Sequence, residues 1–254
     1  MKRLIISLLC LFGLTCTAIA QPLTILTESD PPAQIVSPSG ELSGYTIELV
    51  HEIQKLVGNN DPIKVLPWAR AYQMIEREPR VVLFLMSRTK ERNPLFQWVG
   101  PVMELEFGLY GKADTKLKLA SLEEAKKVNK IGVYRDDARD QILTAAGFTN
   151  LLRTNTLPQN VKMIMLGRLD LYAGSSLTYA DDAKMAGYKP SDLKLVLPFK
   201  KIQVYIAMSS DMPVEIVNDW NNALDTLKQN GTFQKLWKKY YPHAAVPGPA
   251  VNEF

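Results

Sequence analysis

Residues 86–101 read MSRTKERNPLFQWVGP. An apolar run, Val81-Val82-Leu83-Phe84-Leu85-Met86, empties directly into Ser87, Thr89 and a cluster of charge. A second apolar run, Leu95 to Val99, ends on Gly100-Pro101. A short continuous apolar run bounded by polar residues reads as a buried strand. Hydroxyls and an arginine are therefore delivered to the end of a core strand. These residues alone leave two readings open: a ligand site at a strand terminus, or a polar loop leading into the next helix.

Working outward, the pattern predicts strands alternating with helices. On the N-terminal side Leu23 to Leu26 reads as a strand, and Gly44-Tyr45 opens a helix whose apolar stripe is Ile47, Val50, Ile53 and Val57, stopped by Gly58. Ile63 to Leu66 is a short strand, and Trp68 to Arg77 a helix closed by Pro79. On the C-terminal side the expected strands are Leu105 to Tyr110, Lys130 to Tyr134, Leu169 to Ala173 and Leu193 to Leu197. Between them lie a short helix opened by the capping box Ser121 to Glu124 and helices over Asp136–Ala146, from Pro158, and over Thr178–Ala186. The tail predicts an amphipathic helix over Pro213–Gln229 and a last helix capped by Thr232. Such alternation implies an α/β protein with two units, each a parallel or mixed sheet covered on both faces.

The first twenty residues set the expected compartment. Lys2 and Arg3 precede an apolar run from Leu4 to Leu14, and Ala18-Ile19-Ala20 fits a cleavage site before Gln21. That pattern is a secretory signal peptide, too short for a membrane span. Both cysteines, Cys10 and Cys16, fall inside it, so the exported chain is expected to lack disulfide and thiol chemistry. Removing Lys2 and Arg3 lowers the formal charge from +4 to +2, and no basic block suggests nucleic acid. His51 and His243 lie far apart with no cysteine to join them, which argues against zinc, and no nucleophile elbow or phosphate-cradling glycine loop occurs. No cofactor and no metal are expected.

The opening stretch resembles the T-x-T-x-E-R…F-S-x-P segment of the family 3 periplasmic solute-binding proteins, the polar amino acid group. Here it reads Ser87 to Arg92, then Phe96 to Pro101. Further landmarks follow in order: Pro31-Pro32, Gly40, Gly44-Tyr45 and Glu48-Leu49; Ile131 to Val133; Gly167 to Asp170; and NNALDTLKQNGTFQKLWKKYY at 221–241. The resemblance spans essentially the whole exported chain. It implies a type II periplasmic binding protein fold: two α/β lobes joined by a two-stranded hinge, closing on a ligand in the cleft between them. Residues 21–106 and 201–254 would form one lobe and 107–200 the other.

The resemblance also implies site residues. Arg92 is the expected clamp for a ligand carboxylate, since a guanidinium fork meets two oxygens at once, and Ser87 would supply a hydroxyl. Alternatively Arg92 pairs with Glu91 or caps the next helix. Glu28 occupies a first-loop acidic position that touches the ligand's distal part, or else caps its loop. Tyr134, Asp137 and Arg139 match the loop after a strand of the second lobe, where Asp136-Asp137 replaces the family's Gly-Thr. Two aspartates would oppose a carboxylate, or would simply favour the helix dipole. Ser175 stands where the family usually places an acid for the ligand's ammonium. A serine cannot offset a buried charge, so either Glu28 or Asp137 takes over or the ligand has no α-amino group. Trp68 and Tyr72 could give the ligand an aromatic wall or belong to the core, and Arg70 could be a second cation seeking a partner.

The expected function is periplasmic capture of a small carboxylate-bearing ligand, an amino acid or related metabolite, by a monomer. Its partner would be an ABC permease or a separate membrane sensor. An enzyme on the same fold, resembling cyclohexadienyl dehydratases, is the alternative, with Asp137 the one acid available to protonate a leaving hydroxyl.

Overall fold

Thr24–Thr27 (β1) is the first strand of a computed structural model that describes residues 21–251; the expected signal peptide, with Cys10 and Cys16, lies outside the described residues. Two short strands, Ile35–Val36 (β2) and Leu42–Ser43 (β3), form a small antiparallel pair before helix Tyr45–Val57 (α1). Gly58 ends that helix at φ 67°, the left-handed conformation glycine adopts without a Cβ penalty. Ile63–Val65 (β4), Trp68–Arg77 (α2) and Val81–Ser87 (β5) follow, and β5 is buried almost throughout.

Gln97–Lys112 (β6) is a sixteen-residue strand, much longer than the expected Leu105 to Tyr110. Then come Leu122–Ala125 (α3), Ile131–Tyr134 (β7), Ala138–Ala145 (α4), Leu151–Thr154 (β8), Leu157–Met165 (α5), Leu171–Ser175 (β9) and Tyr179–Met185 (α6). The second long strand, Leu193–Met208 (β10), also has sixteen residues against the five expected. Helices Val214–Gln229 (α7) and Thr232–Tyr240 (α8) complete the set, with Gly231 rather than Thr232 at the cap of α8.

The two long strands organise one eight-stranded sheet in the order β4-β1-β5-β10-β6-β9-β7-β8. β10 meets β5 from Val204 onward, whereas β6 meets β9 from Phe107 onward. Between those points Glu104, Leu105 and Glu106 ladder onto Gln203, Ile202 and Lys201. The sheet thus has two halves joined by a two-stranded link. Gly100-Pro101 and Pro198 read as breaks in sequence, yet both strands continue past them. The register shifts between Val204 and Ile206, and between Pro198 and Lys200, absorb residues that cannot complete a regular ladder.

Each half has its own core. Helices α1, α7 and α8 pack Ile47, Val50, Trp220, Leu224, Phe233 and Trp237 against β1, β5 and β10. In the other half Ile131, Val133, Leu143, Leu171 and Ala173 form one cluster, and Tyr110, Val161, Ile164, Tyr172 and Ala183 another. Strand ends from both halves converge on the link, and there the cavity lies.

Candidate functional site

Arg92 reaches the cavity because the chain turns sharply at the end of β5. Its own N–H donates to the Thr89 hydroxyl at 3.3 Å, and Asn93 N–H donates to Thr89 O at 2.8 Å. The side chain is folded inward and only 1% exposed. Its guanidinium lies over the rings of Tyr72 and Trp68, at 4.8 and 5.4 Å, within cation–π range. Nη1 donates to Ser87 O at 3.4 Å. From the opposite wall, Asp136 O accepts from Nη2 at 3.0 Å and Gln141 Oε1 from Nε at 2.9 Å. Burial pulls the guanidinium pKa down, with nearby Tyr72 and Asp137 opposing. Arg92 is therefore held by rings and neutral acceptors, and no ion pair among the described residues includes it.

The facing wall is the turn between β7 and α4. Asp136 adopts φ 60°, the left-handed region where aspartate is tolerated better than most residues. That conformation accompanies a carbonyl that also accepts from Trp68 Nε1 at 3.0 Å. Asp137 caps α4, accepting from Arg139 N–H at 2.8 Å and from Arg139 Nε at 2.6 Å. The two aspartates thus serve the turn and the helix end, the helix-favouring alternative. Although burial raises the Asp137 pKa, Arg139 overrides it and the net shift is downward. Arg139 lies over the Phe107 ring at 5.2 Å, and Asp137 raises its pKa despite burial.

A third group is acidic. Glu28 Oε2 accepts from the Tyr134 hydroxyl at 2.7 Å, linking the first loop to β7 across the cleft. Burial, reinforced by Asp30, pushes the Glu28 carboxyl up to about 8, and burial lifts Asp30 to about 6. Ser175 closes the remaining side, its Oγ 2.9 Å from Thr178 Oγ1.

The free volume of the cavity is about 40 Å³. Of the residues expected at the site, Glu28, Trp68, Ser87, Arg92, Asp137, Arg139 and Ser175 line it, and Tyr134 joins through Glu28. Arg70 does not. Helix α2 buries Trp68, Ala71, Tyr72 and Ile75, one helical stripe, and Arg70 falls on the opposite, exposed side. Its charge needs no partner because it stands in water. Tyr72 is core, 6% exposed, packed edge-on to Phe96 while supporting Arg92. Asp30, Phe107 and Thr178 also line the cavity and Gln141 touches Arg92, none of which the sequence pattern singled out. Asp30, three residues after Thr27 in the same loop as Glu28, was the one with a visible signal.

A cleft between two α/β halves, built on a two-stranded link and lined by two arginines and three acids, defines a two-lobed solute-binding fold. The profile of the bacterial extracellular solute-binding proteins, family 3, matches residues 23–243, and the chain belongs to that family. It is 23% identical over 247 residues to the arginine-binding periplasmic protein of Mannheimia haemolytica, covering 94% of this chain and 98% of that protein. It is 23% identical over 217 residues to a probable histidine-binding protein of Neisseria gonorrhoeae, covering 83% and 79%. In fold it resembles a histidine kinase sensor domain similar to periplasmic binding proteins, with a TM-score of 0.80 at 17% identity over 89% of this chain and 98% of that one.

Proposed function

We propose that the protein captures a small carboxylate-bearing ligand, an amino acid or a related metabolite, by closure of its two lobes in the periplasm. Residues 21–106 with 201–254 form the first lobe and 107–200 the second, so that the link at Glu104–Glu106 and Lys201–Gln203 is the hinge. Residues 1–20 direct export and are removed. The chain acts as a monomer and passes its ligand to an ABC permease or reports it to a separate membrane sensor.

The observation that carries this reading is Arg92, a buried cation in the cleft that no acid neutralises. Its charge remains available to an incoming carboxylate, and the Asp136 and Gln141 contacts join the lobes as they close. Ser87, Trp68, Glu28, Tyr134, Asp137, Arg139 and Ser175 form the surrounding walls. The test is isothermal titration and thermal unfolding against amino acids, amines and dicarboxylates. A ligand at a hundred times its Kd adds about 2.7 kcal/mol of apparent stability. Arg92→Ala is expected to lower affinity for every carboxylate probe at least ~100-fold, about 2.7 kcal/mol, within the range for truncating one partner of a buried charge contact. Equal affinity in wild type and variant would sink the assignment.

The relatives above are named as binding proteins, and a binding rather than catalytic role is the reading adopted. One observation favours the dehydratase alternative: Glu28 holds its proton to about pH 8, so a carboxylic acid stands in the cleft at neutral pH. Asp137, the acid expected from sequence, is unsuited because Arg139 keeps it ionised. Turnover of prephenate, abolished by Glu28→Gln, would establish that alternative; its absence leaves capture alone.

A further inference from the structure

The two-stranded link has a back as well as a cleft face. Side chains alternate along β6 and β10, so Met103, Leu105 and Val204 line the cleft cavity while Glu104, Gln203 and Tyr205 fall on the other side. There a second cavity, of about 170 Å³, has walls that include Glu104, Gln203, Tyr205 and Val251. Val251 is not part of the link. It belongs to the segment that follows α8.

That segment, Pro242 to Val251, has no regular secondary structure. It starts along the first core, where the Trp237 indole N–H donates to Ala244 O at 3.2 Å and Ala244 and Val246 pack on the cluster that contains Trp237. It then reaches the link at Gln203. The Gln203 carboxamide donates to Pro249 O at 2.8 Å and accepts from Val251 N–H at 3.0 Å, bracketing Ala250. The Tyr205 hydroxyl donates to the same carboxamide oxygen at 3.1 Å, and Nε2 also donates to Glu104 Oε2 at 3.4 Å. Gln203 is only 7% exposed, and a buried amide is costly unless both its oxygen and its nitrogen are bonded. Two of its partners are main-chain groups of the tail. Pro247 and Pro249 fix their own φ, so the segment has less freedom to lose when it is held.

The clasp is formed while the halves touch across the cleft, through Arg92 to Asp136 O and Tyr134 to Glu28. We propose that residues 247–251 are a strap on the back of the hinge that stabilises the closed arrangement, and that releasing it favours opening. The inference rests on the hinge reading above. Opening turns the link strands relative to the first lobe, to which Ala244 and Val246 fix the tail, and carries Gln203 away from Pro249 O and Val251 N–H. Ligand affinity then depends on a segment that lies outside the cleft.

Residues 21–254 contain no cysteine, so paired spin labels can be placed at will. Val65→Cys and Asn155→Cys, exposed positions on opposite walls of one groove at the cleft mouth, report lobe separation by electron–electron double resonance. Three changes are compared in that labelled background: a chain ending at Val246, Gln203→Leu, and Val251→Pro, which deletes one donor and keeps the whole chain. Thermal unfolding checks that each folds, and Val251→Pro carries the test if the shortened chain does not. The long-distance fraction is expected to rise at least threefold in all three. Affinity for L-arginine, L-histidine or glutarate, whichever the wild type binds, should fall by the factor lost from the closed population. Gln203→Leu should add nothing in the shortened chain.

Unchanged distances in Val251→Pro and the shortened chain overturn the strap; if a probe still shortens the distance there, capture stands without it. A Gln203→Leu effect that persists at full size in the shortened chain overturns it too, since Gln203 would then act through Glu104 and Tyr205 alone. Distances that no probe and no variant moves overturn both the strap and the hinge.

Discussion

The cleft holds two buried guanidiniums by opposite means. Arg92 lies on aromatic rings and directs its donors to carbonyls and an amide, whereas Arg139 is paired with the Asp137 carboxylate. Their pKa shifts point in opposite directions: burial draws Arg92 down, and the adjacent acid lifts Arg139. Rings and carbonyls solvate a cation without cancelling its charge, but a carboxylate cancels it. Two arginines in one cavity are therefore not two anion sites. Arg92 is the clamp we propose, and Arg139 is tied to the Asp137 cap of α4.

Breaking the Arg139 pair should produce the largest stability change. Asp137→Ala removes the helix cap and leaves a buried guanidinium uncompensated, so urea unfolding should show a loss of about 3 kcal/mol. Asp137→Asn keeps much of the cap and frees the cation. It should therefore raise affinity for a dicarboxylate probe such as glutarate while the wild type discriminates against it. Unchanged stability in Asp137→Ala would mean the two arginines are held alike, and the contrast would fail.

The acids of the cleft sharpen the comparison through pH. Glu28 titrates near 4.5 in the unfolded chain and near 8 in the fold, with Asp30, Asp137, Arg139 and Tyr134 as its charged or titratable neighbours. The folded protein therefore binds the proton more tightly. No penalty exists below pH 4.5, where both states are protonated, and stability falls as pH rises from there towards 8. Asp30 adds the same sign over a lower window, from 3.8 to about 6. Asp137 has the opposite sign: its folded pKa is depressed, so its contribution is present above the unfolded value and lost as pH falls through the folded one. Melting temperature should consequently decline between pH 6 and 8, and Glu28→Gln should flatten that decline. A wild-type curve that is already flat would show that Glu28 is not held protonated.

Much of the fold was legible because local chemistry agreed with it. Gly58 stops α1, Trp68 and Arg77 bound α2, and the apolar run at 81 feeds a buried strand. The long strands were legible only in part, since Gly100-Pro101 and Pro198 carry the local signature of a stop while cross-strand pairing keeps β6 and β10 going. Arg92 stood out through its place after a core strand. Asp30 carried a weaker signal, as a second acid in the loop of Glu28, and Gln141 carried none, because its role comes from an element far away in sequence. Gln141 matters only because α4 sits opposite Arg92, 49 residues distant. Arg70 misled for the converse reason: the composition of α2 suggested a cation in apolar surroundings, and the helical period put it in solvent.

The smallest expected effect falls on the one hydrogen bond that crosses the cleft between side chains of the acidic group. Tyr134 donates its hydroxyl proton to Glu28, and the same oxygen accepts weakly from Trp68 N–H at 3.4 Å. Tyr134→Phe removes both and should lower stability by about 1 kcal/mol at neutral pH, the ordinary net value of a neutral hydrogen bond. The phenol also favours the ionised carboxylate, so its loss should move the Glu28 transition to higher pH. Arg92 contacts should be untouched, because they run through Asp136 and Gln141 rather than through Tyr134. A double-mutant cycle with Glu28→Gln separates the direct bond from the shared cleft: coupling near zero would mean that Tyr134 merely packs, and that the walls meet only through Arg92 and Trp68.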